Sequence, residues 1–154
     1  AWHIVPSEPT SNVLIRAAMY DEDTDGADDL DLYVFFFRFA DGALLFAGGS
    51  GNTGSNETAD ILFPLDPADG LYLTAVHANQ TDGPDAQSNL STFDFGFVDD
   101  RGDMTEDAPD SATLGAATIT VDWSSLNPSR HLGAVSHAGD IGLLGLTLVE
   151  VDAR

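Results

Sequence analysis

An acidic segment between two hydrophobic stretches carries the most specific chemical pattern of the chain. It reads Asp-Glu-Asp-Thr-Asp-Gly from Asp21 to Gly26, and more aspartates follow up to Asp31. The D-x-D-x-D-G spacing is typical of a calcium loop, in which alternate carboxylates converge on one ion and the glycine permits the tight turn. Carboxylates this close together repel one another unless a cation neutralises them. We therefore expect a Ca²⁺ site with ligands from Asp21, Asp23, Asp25, Asp28, Asp29 and Asp31.

The segment is not an EF-hand, because loop position 12 is Leu32 instead of glutamate and no helical pattern flanks it. A solvated acidic loop without an ion is the alternative to the calcium site. A second acidic group is more typical of such a solvated loop and comprises Asp99, Asp100, Asp103, Glu106 and Asp107.

The composition excludes several classes of partner. The 154-residue chain has 26 acidic and 5 basic residues, for a net charge of −21. This charge repels nucleic-acid phosphate and anionic lipid, so neither is expected as a principal partner. No apolar run approaches the roughly 20 residues of a membrane-spanning helix. The chain has no cysteine, which excludes disulfides, thiol catalysis and cysteine-bound zinc.

Patterns for catalysis are missing from the sequence. The segment Gly48–Gly51 is followed by Asn52, so it does not form the Gly-x-Ser-x-Gly turn of serine hydrolases. The four histidines lack the His-x-x-x-His spacing of a helical metal site. We therefore expect the chain not to be an enzyme.

The elements that position these residues are predicted to be short strands. Stretches of alternating polarity are separated by Gly, Pro and Asp at intervals of about ten residues. This pattern predicts an all-β fold, an antiparallel β-sandwich of jelly-roll type with eight or nine strands, in a single domain spanning residues 1–154. Along one strand, Ile119, Val121 and Trp123 alternate with polar residues and are expected to face the core.

The strongest predicted strand, Leu30–Phe39, is hydrophobic on both faces. Leu30, Leu32, Val34 and Phe36 suit a core face, whereas the opposite face carries Tyr33, Phe35 and Phe37. Because a sandwich strand normally shows one face to water, either the protein's own chain covers this second face or it is a binding platform. In the second case, Tyr33, Phe35 and Phe37 would contact the ligand.

The order of several motifs resembles the bacterial pre-peptidase C-terminal domain found in secreted subtilisin-like serine peptidases. In the first half these motifs are a strand at 13–20, the acidic loop, Asp-Leu-Asp-Leu-Tyr-Val at 29–34, Asp41-Gly42, a Gly/Ser segment ending at Glu57, and the Pro64–Tyr72 turn. In the last third they are Trp123–Leu126, Arg130–Val135 and Thr147–Val149. His131 stands where the family usually has tyrosine, and the acidic loop is longer than in most members.

This resemblance implies a non-catalytic β-sandwich appended to a peptidase catalytic domain, its expected partner. It also implies a secreted location, frequent calcium binding and a role in stabilising or exporting the enzyme. The alternative is a module that docks the enzyme on insoluble protein or polysaccharide. We expect the domain itself to be a monomer.

Overall fold

The computed structural model describes the backbone of residues 2–7 and residues 13–96, 104–111 and 116–154. Within these ranges the chain forms eleven strands, a turn of 3-10 helix at Asp21–Asp23 and no α-helix. No helix in the described ranges is long and apolar enough to cross a membrane. The strands are β1 (Trp2–Ser7), β2 (Leu14–Met19), β3 (Asp29–Arg38), β4 (Leu44–Ser50), β5 (Glu57–Leu62), β6 (Gly70–Gln80), β7 (Ser91–Phe95), β8 (Met104–Asp107), β9 (Thr120–Trp123), β10 (Arg130–Gly139) and β11 (Gly142–Asp152).

The predicted all-β class with antiparallel sheets is confirmed. The strand count is higher than expected, because the sequence pattern predicts neither β1 nor β8. β1 contains Pro6, which weakens a strand pattern, and it lies at the edge of its sheet, where proline is tolerated. The chain divides into two compact units, Ala1–Asp99 and Asp100–Arg154. The single domain over 1–154 stays a prediction.

The first unit is a sandwich of two antiparallel sheets. One sheet has the strand order β1-β6-β3-β4, and the other has the order β5-β2-β7. The core between them is apolar, and it takes alternate side chains from β2, β3, β5 and β6. Its buried members are Ile15, Ala17, Met19, Leu30, Leu32, Val34, Phe36, Ala59, Ile61 and Tyr72.

β3 is the central strand of this arrangement. Leu30, Leu32, Val34 and Phe36 are buried, as predicted, and the intervening side chains are half-buried. The Phe36 ring lies 5.1 Å from the Tyr72 ring, and burial raises the pKa of the Tyr72 phenol. Gly70 permits this close packing, because a Cβ there would collide with Phe37 O and the Phe36 ring.

The second unit consists of two antiparallel pairs, β8–β9 and β10–β11. Ile119, Val121 and Trp123 are half-buried, and the residues between them are exposed. The predicted face is therefore right, but Trp123 is less deeply buried than expected. A Cβ at Gly133 would collide with Met104 Sδ, so the glycine admits this side chain against β10, whereas Trp123 Cζ2 lies at an ordinary contact distance of 3.6 Å from the same point.

An ion pair between Arg38 and Asp41 closes the β3–β4 hairpin and shifts the pKa of the Asp41 carboxyl. Arg38 Nε and Nη2 donate to the Asp41 carboxylate at 2.9 and 2.6 Å, and Ala43 N donates to Asp41 Oδ1 at 3.1 Å. The Arg38 guanidinium, followed by the Ala43 amide, lowers the pKa of Asp41 to about 2. This contribution to hairpin stability is present above the ordinary carboxyl pKa and is lost as the pH falls through about 2.

We predict that Arg38→Gln raises the pKa of Asp41 towards the ordinary value of about 3.9, because the main group stabilising the carboxylate is removed. Carboxyl NMR titration of the wild type and the variant measures this shift. Arg154→Gln is the control and should leave the Asp41 curve unchanged. An Asp41 curve that does not move in Arg38→Gln would contradict the assignment.

Candidate functional site

The acidic segment connects β2 in one sheet to β3 in the other at one end of the sandwich. It begins with the 3-10 turn Asp21–Asp23, in which Asp23 N donates to Tyr20 O at 2.9 Å. Thr24 Oγ1 lies 2.8 Å from Asp21 O and 3.0 Å from Gly26 O, so its single hydroxyl proton is shared between, or donated to one of, the two carbonyls that flank the bend. The segment therefore has short-range hydrogen bonds of its own in addition to its contacts with other loops.

Two of the aspartates bind the loop between β4 and β5. Asp21 accepts hydrogen bonds from Ser55 N and, at 2.6 Å, from Asn56 Nδ2. Asp29 Oδ1 accepts from Gly54 N at 2.9 Å. Gly54 has φ of +94°, a left-handed conformation that suits glycine, and this turns successive peptide N–H groups towards the carboxylates.

Two other aspartates face the loop between β6 and β7. Asp25 Oδ1 accepts from Gln87 N at 2.7 Å, and Asp28 Oδ1 accepts from Asp82 N at 3.1 Å. The contact is reciprocal, since Ala27 N donates to Asp82 Oδ2 at 2.9 Å. A Cβ at Gly26 would lie only 2.6 Å from both Asp82 carboxylate oxygens, so the glycine of the D-x-D-x-D-G pattern is required for this close approach.

Asp28 differs from the other acidic residues of the segment in its burial. It is only 3% exposed, and Ser55, which is fully buried, donates its hydroxyl to Asp28 O at 2.9 Å. Within the described residues, Asp28 Oδ2 is a buried side-chain oxygen without a hydrogen-bond partner. A buried carboxylate oxygen left in this state is costly, and such atoms in proteins commonly mark a bound water or ion.

Asp31 lies on the outer face of β3, and its carboxylate borders the start of the β4–β5 loop, where a Cβ at Gly51 would lie 3.2 Å from Asp31 Oδ1. Its Oδ2 is 3.2 Å from Tyr33 OH, which donates to it, and 3.2 Å from His77 Nδ1 on the neighbouring strand β6. Desolvation, and then the charge of Asp31, raises the pKa of Tyr33. The phenol is thus held as a proton donor to the carboxylate.

The structure therefore divides the six predicted calcium ligands among different contacts. Asp21 and Asp29 face one loop, Asp25 and Asp28 face another, and Asp31 lies on the sheet. Asp23 ends the 3-10 turn and is half-buried. Among the residues that the structure describes, no group of three or more His, Asp or Glu is placed to hold a metal ion. The calcium site stays a prediction.

Of the second acidic group, Asp99, Asp100 and Asp103 lie outside the described residues. Glu106 and Asp107 belong to β8, where they are exposed and pair with Val121 and Thr120 of β9.

Glu57 is a buried carboxylate that the sequence interpretation did not single out as a site residue. It is fully buried, and its Oε1 accepts from Asn52 N at 2.7 Å. Alternation along β5 was the available signal, because Glu57 shares the inward face of that strand with Ala59 and Ile61. Asp82 carried no such signal, since it belongs to an irregular loop far along the chain.

Tyr33, Phe35 and Phe37 lie together on the outer face of β3 and are half-buried. The Phe46 ring of β4 meets Phe35 at 5.9 Å between centroids, and the Phe39 ring meets Phe37 at 6.2 Å. Phe39 is 53% exposed and Phe46 is 65% exposed. The three predicted residues therefore form an aromatic surface that is half-buried, and the exposed rings of Phe39 and Phe46 lie beside it.

A hydroxyl and an imidazole are adjacent in the second unit. His131 Nε2 lies 2.9 Å from Ser129 Oγ and also 2.9 Å from Asn127 O. Because a carbonyl oxygen only accepts, the contact with Asn127 places the proton on Nε2, and the ring nitrogen then donates instead of accepting the serine proton. This geometry stabilises the turn before β10.

Comparison of the chain with family models, curated proteins and solved structures gives no match. The resemblance to pre-peptidase C-terminal domains therefore rests on the sequence motifs. In the structure, Asp-Leu-Asp-Leu-Tyr-Val at 29–34 begins the central strand β3. Gly42 has φ of +70° in the β3–β4 turn.

We predict that Asp21→Asn lowers the free energy of unfolding by about 1–2 kcal/mol in the presence of chelator, because an amide replaces one of the two accepting oxygens by a donor. Chemical denaturation in EDTA measures this difference without any contribution from metal. Asp85→Asn is the matched control, since Asp85 is exposed in the neighbouring loop. Equal stability of the two variants would contradict the role of Asp21 in holding the loop.

Proposed function

We propose that this chain is a non-catalytic, calcium-stabilised accessory module of a secreted subtilisin-like serine peptidase. The sandwich fold and the acidic end of its first unit support the calcium part of the proposal. The motif resemblance supports the link to a peptidase. On this proposal, the module stabilises the parent enzyme or assists its export, and it supplies no group to the reaction.

The calcium proposal rests on Asp28 Oδ2, a buried carboxylate oxygen that has no hydrogen-bond partner among the described residues. Removing a carboxylate from water costs several kcal/mol unless a counter-charge and hydrogen bonds compensate. Here Oδ1 has one amide partner and Oδ2 has none among the described residues. A hard cation bound by oxygen satisfies both requirements at Asp28, because it supplies charge and replaces the missing partner.

The surrounding residues fit such a cation by their chemistry. Ca²⁺ takes six to eight oxygen ligands, including carboxylates, backbone carbonyls and water. Asp25 and Asp82 contact the same pair of loops as Asp28 and bring two further carboxylates to this end of the sandwich. A carboxylate oxygen that accepts one hydrogen bond from an amide N–H keeps a second lone pair that can bind a cation. Extracellular modules bind calcium with dissociation constants of about 10⁻⁴–10⁻³ M, which suits a secreted protein.

Thermal melting of chelator-treated protein in millimolar Ca²⁺ tests the proposal. Because calcium is expected to bind the folded state alone, free calcium at about 100 times its dissociation constant should add about 2.7 kcal/mol to the free energy of unfolding. Asp28→Asn removes the carboxylate with little change of shape and should abolish the increment. Asp23→Ala and Asp25→Ala test the loop positions that the sequence pattern favours.

General screening of the −21 charge is the rival explanation for any effect of calcium. Screening predicts that NaCl or MgCl₂ at matched ionic strength stabilises the protein equally well. It also predicts that Asp28→Asn and the exposed control Asp85→Asn respond alike. Either result would contradict the calcium site.

The second candidate function is docking on insoluble protein. The observation that favours it is the aromatic surface of Tyr33, Phe35 and Phe37, which continues to the exposed Phe39 and Phe46. Aromatic side chains offer large apolar contact area, and exposed apolar patches of this kind mark interaction sites.

We predict that Phe35→Ala and Phe37→Ala reduce co-sedimentation of the protein with insoluble collagen or keratin, because each removes an aromatic ring from the platform. Melting curves of both variants establish that they are folded. Ile141→Ala, in the exposed β10–β11 turn, should bind as the wild type does. Wild-type protein that stays in the supernatant with both proteins and with chitin would contradict docking while leaving the calcium proposal intact.

A further inference from the structure

Three asparagines of the chain begin the pattern Asn-x-Ser/Thr, in which the side-chain amide can accept an oligosaccharide. They are Asn56, Asn79 and Asn89. All three are exposed, so neither the pattern nor the exposure separates them. The hydrogen bonds of their side chains do separate them, because an amide must leave such bonds before it can enter the cleft of a transferase.

Asn56 is held by the acidic segment. Its Nδ2 donates to Asp21 Oδ2 at 2.6 Å, and its side-chain oxygen accepts from Asp21 N at 3.1 Å. The next residue, Glu57, is fully buried and accepts from Asn52 N at 2.7 Å. Drawing Asn56 into another protein would break a charge-assisted hydrogen bond and move a buried carboxylate. The fold therefore protects this asparagine from transfer.

Asn79 is held in a similar way near the end of β6. Its Nδ2 donates to Asp29 Oδ2 at 2.7 Å, which is again a hydrogen bond to a carboxylate. The hydroxyl that the pattern requires is also engaged, since Thr81 Oγ1 donates to Gly83 O at 2.8 Å. Both functional groups of this pattern are thus used within the protein.

Asn89 differs from both. It lies outside the strands, just before β7, which begins at Ser91. Among the described residues, neither the Asn89 amide nor the Ser91 hydroxyl has a hydrogen-bond partner, while Leu90 between them packs against the core. Segments between strands open locally at lower cost than paired strands. A transferase can therefore engage this pattern without first breaking side-chain hydrogen bonds.

We propose that Asn89 is an N-glycan acceptor of this chain and that the folded structure protects Asn56 and Asn79. In the transfer, Asn89 Nδ2 forms a bond to the anomeric carbon of an oligosaccharide that is linked to a lipid phosphate, and the nitrogen releases one proton. The bond between that carbon and the carrier phosphate breaks, and the phosphate keeps the electron pair. The inference goes beyond the accessory role but rests on the secreted location in the proposed function, because such carriers donate to exported chains.

Modification of the purified, folded chain tests the assignment. The full chain is incubated below its melting temperature with a single-subunit oligosaccharyltransferase and a lipid-linked oligosaccharide, and the glycopeptides are identified by mass spectrometry. Asn89 should carry the oligosaccharide at an occupancy several-fold higher than that of Asn56 or Asn79. An unmodified Asn89, or equal occupancy at either of the other two asparagines, would overturn the proposal.

Unstructured peptides separate the effect of the fold from that of the sequence. Synthetic peptides covering residues 53–61, 76–84 and 86–94 present the three patterns without hydrogen bonds from the rest of the protein. The peptides with Asn56 and Asn79 should be modified at least as fast as the peptide with Asn89. Peptides that reproduce the preference for Asn89 would show that the fold plays no part, which contradicts the inference.

Two variants in β7 form a matched pair. Ser91→Ala removes the hydroxyl of the pattern and should abolish modification of Asn89, whereas Thr92→Ala removes the neighbouring exposed hydroxyl and should retain it. Melting curves establish that both variants are folded. Because the assay uses purified protein, a chain that is modified in the assay but is not secreted would contradict the proposed location alone. Modification of Asn89 that persists in Ser91→Ala would overturn the acceptor assignment.

Discussion

The excess of carboxylates over cationic side chains is the constraint on which the rest of the structure depends. The ion pairs of the described arginines include Arg16 with Asp60, Arg38 with Asp41, Arg130 with Glu150 and Asp152, and Arg154 with Asp152. In the acidic segment, Asp21, Asp25, Asp28 and Asp29 accept hydrogen bonds from peptide N–H groups of two neighbouring loops. A charged acceptor makes these bonds stronger than neutral ones, but N–H dipoles do not cancel a full negative charge. Asp28 is buried with one oxygen unpaired, and on the proposed function this is the position at which a bound cation would compensate the charge.

The same contacts explain how an irregular, polar end is attached to an apolar sandwich. The core strands contribute leucine, valine and phenylalanine side chains, and their hydrophobic burial fixes the two sheets. The segments between strands have few large apolar side chains. Hydrogen bonds from peptide N–H groups to aspartate carboxylates therefore hold the loops at 51–56 and 81–88 against the 21–29 segment. The glycines at 26 and 54 serve this arrangement, since each sits against a carboxylate.

Much of the fold was predictable because strand alternation is a local signal. Leu30, Leu32, Val34 and Phe36 alternate with residues of the outer face, and the structure buries that set. The acidic site was predictable only in part. The aspartate spacing identified the segment, but Asp21 binds residues 34 and 35 positions away, and Asp28 contacts a residue 54 positions away. Such partners depend on which loops the sheet topology brings together, and no periodicity in the sequence encodes that.

The most direct test of the account is the carboxyl ¹³C resonance of Asp28 in chelated protein titrated with Ca²⁺. The account predicts a saturable shift of this resonance, which Na⁺ or Mg²⁺ at matched ionic strength does not reproduce. The exposed Asp85 carboxyl reports general screening in the same spectra. An Asp28 resonance that stays fixed while Asp85 drifts with added salt would contradict the account, because the buried carboxylate would then be stabilised without a bound cation.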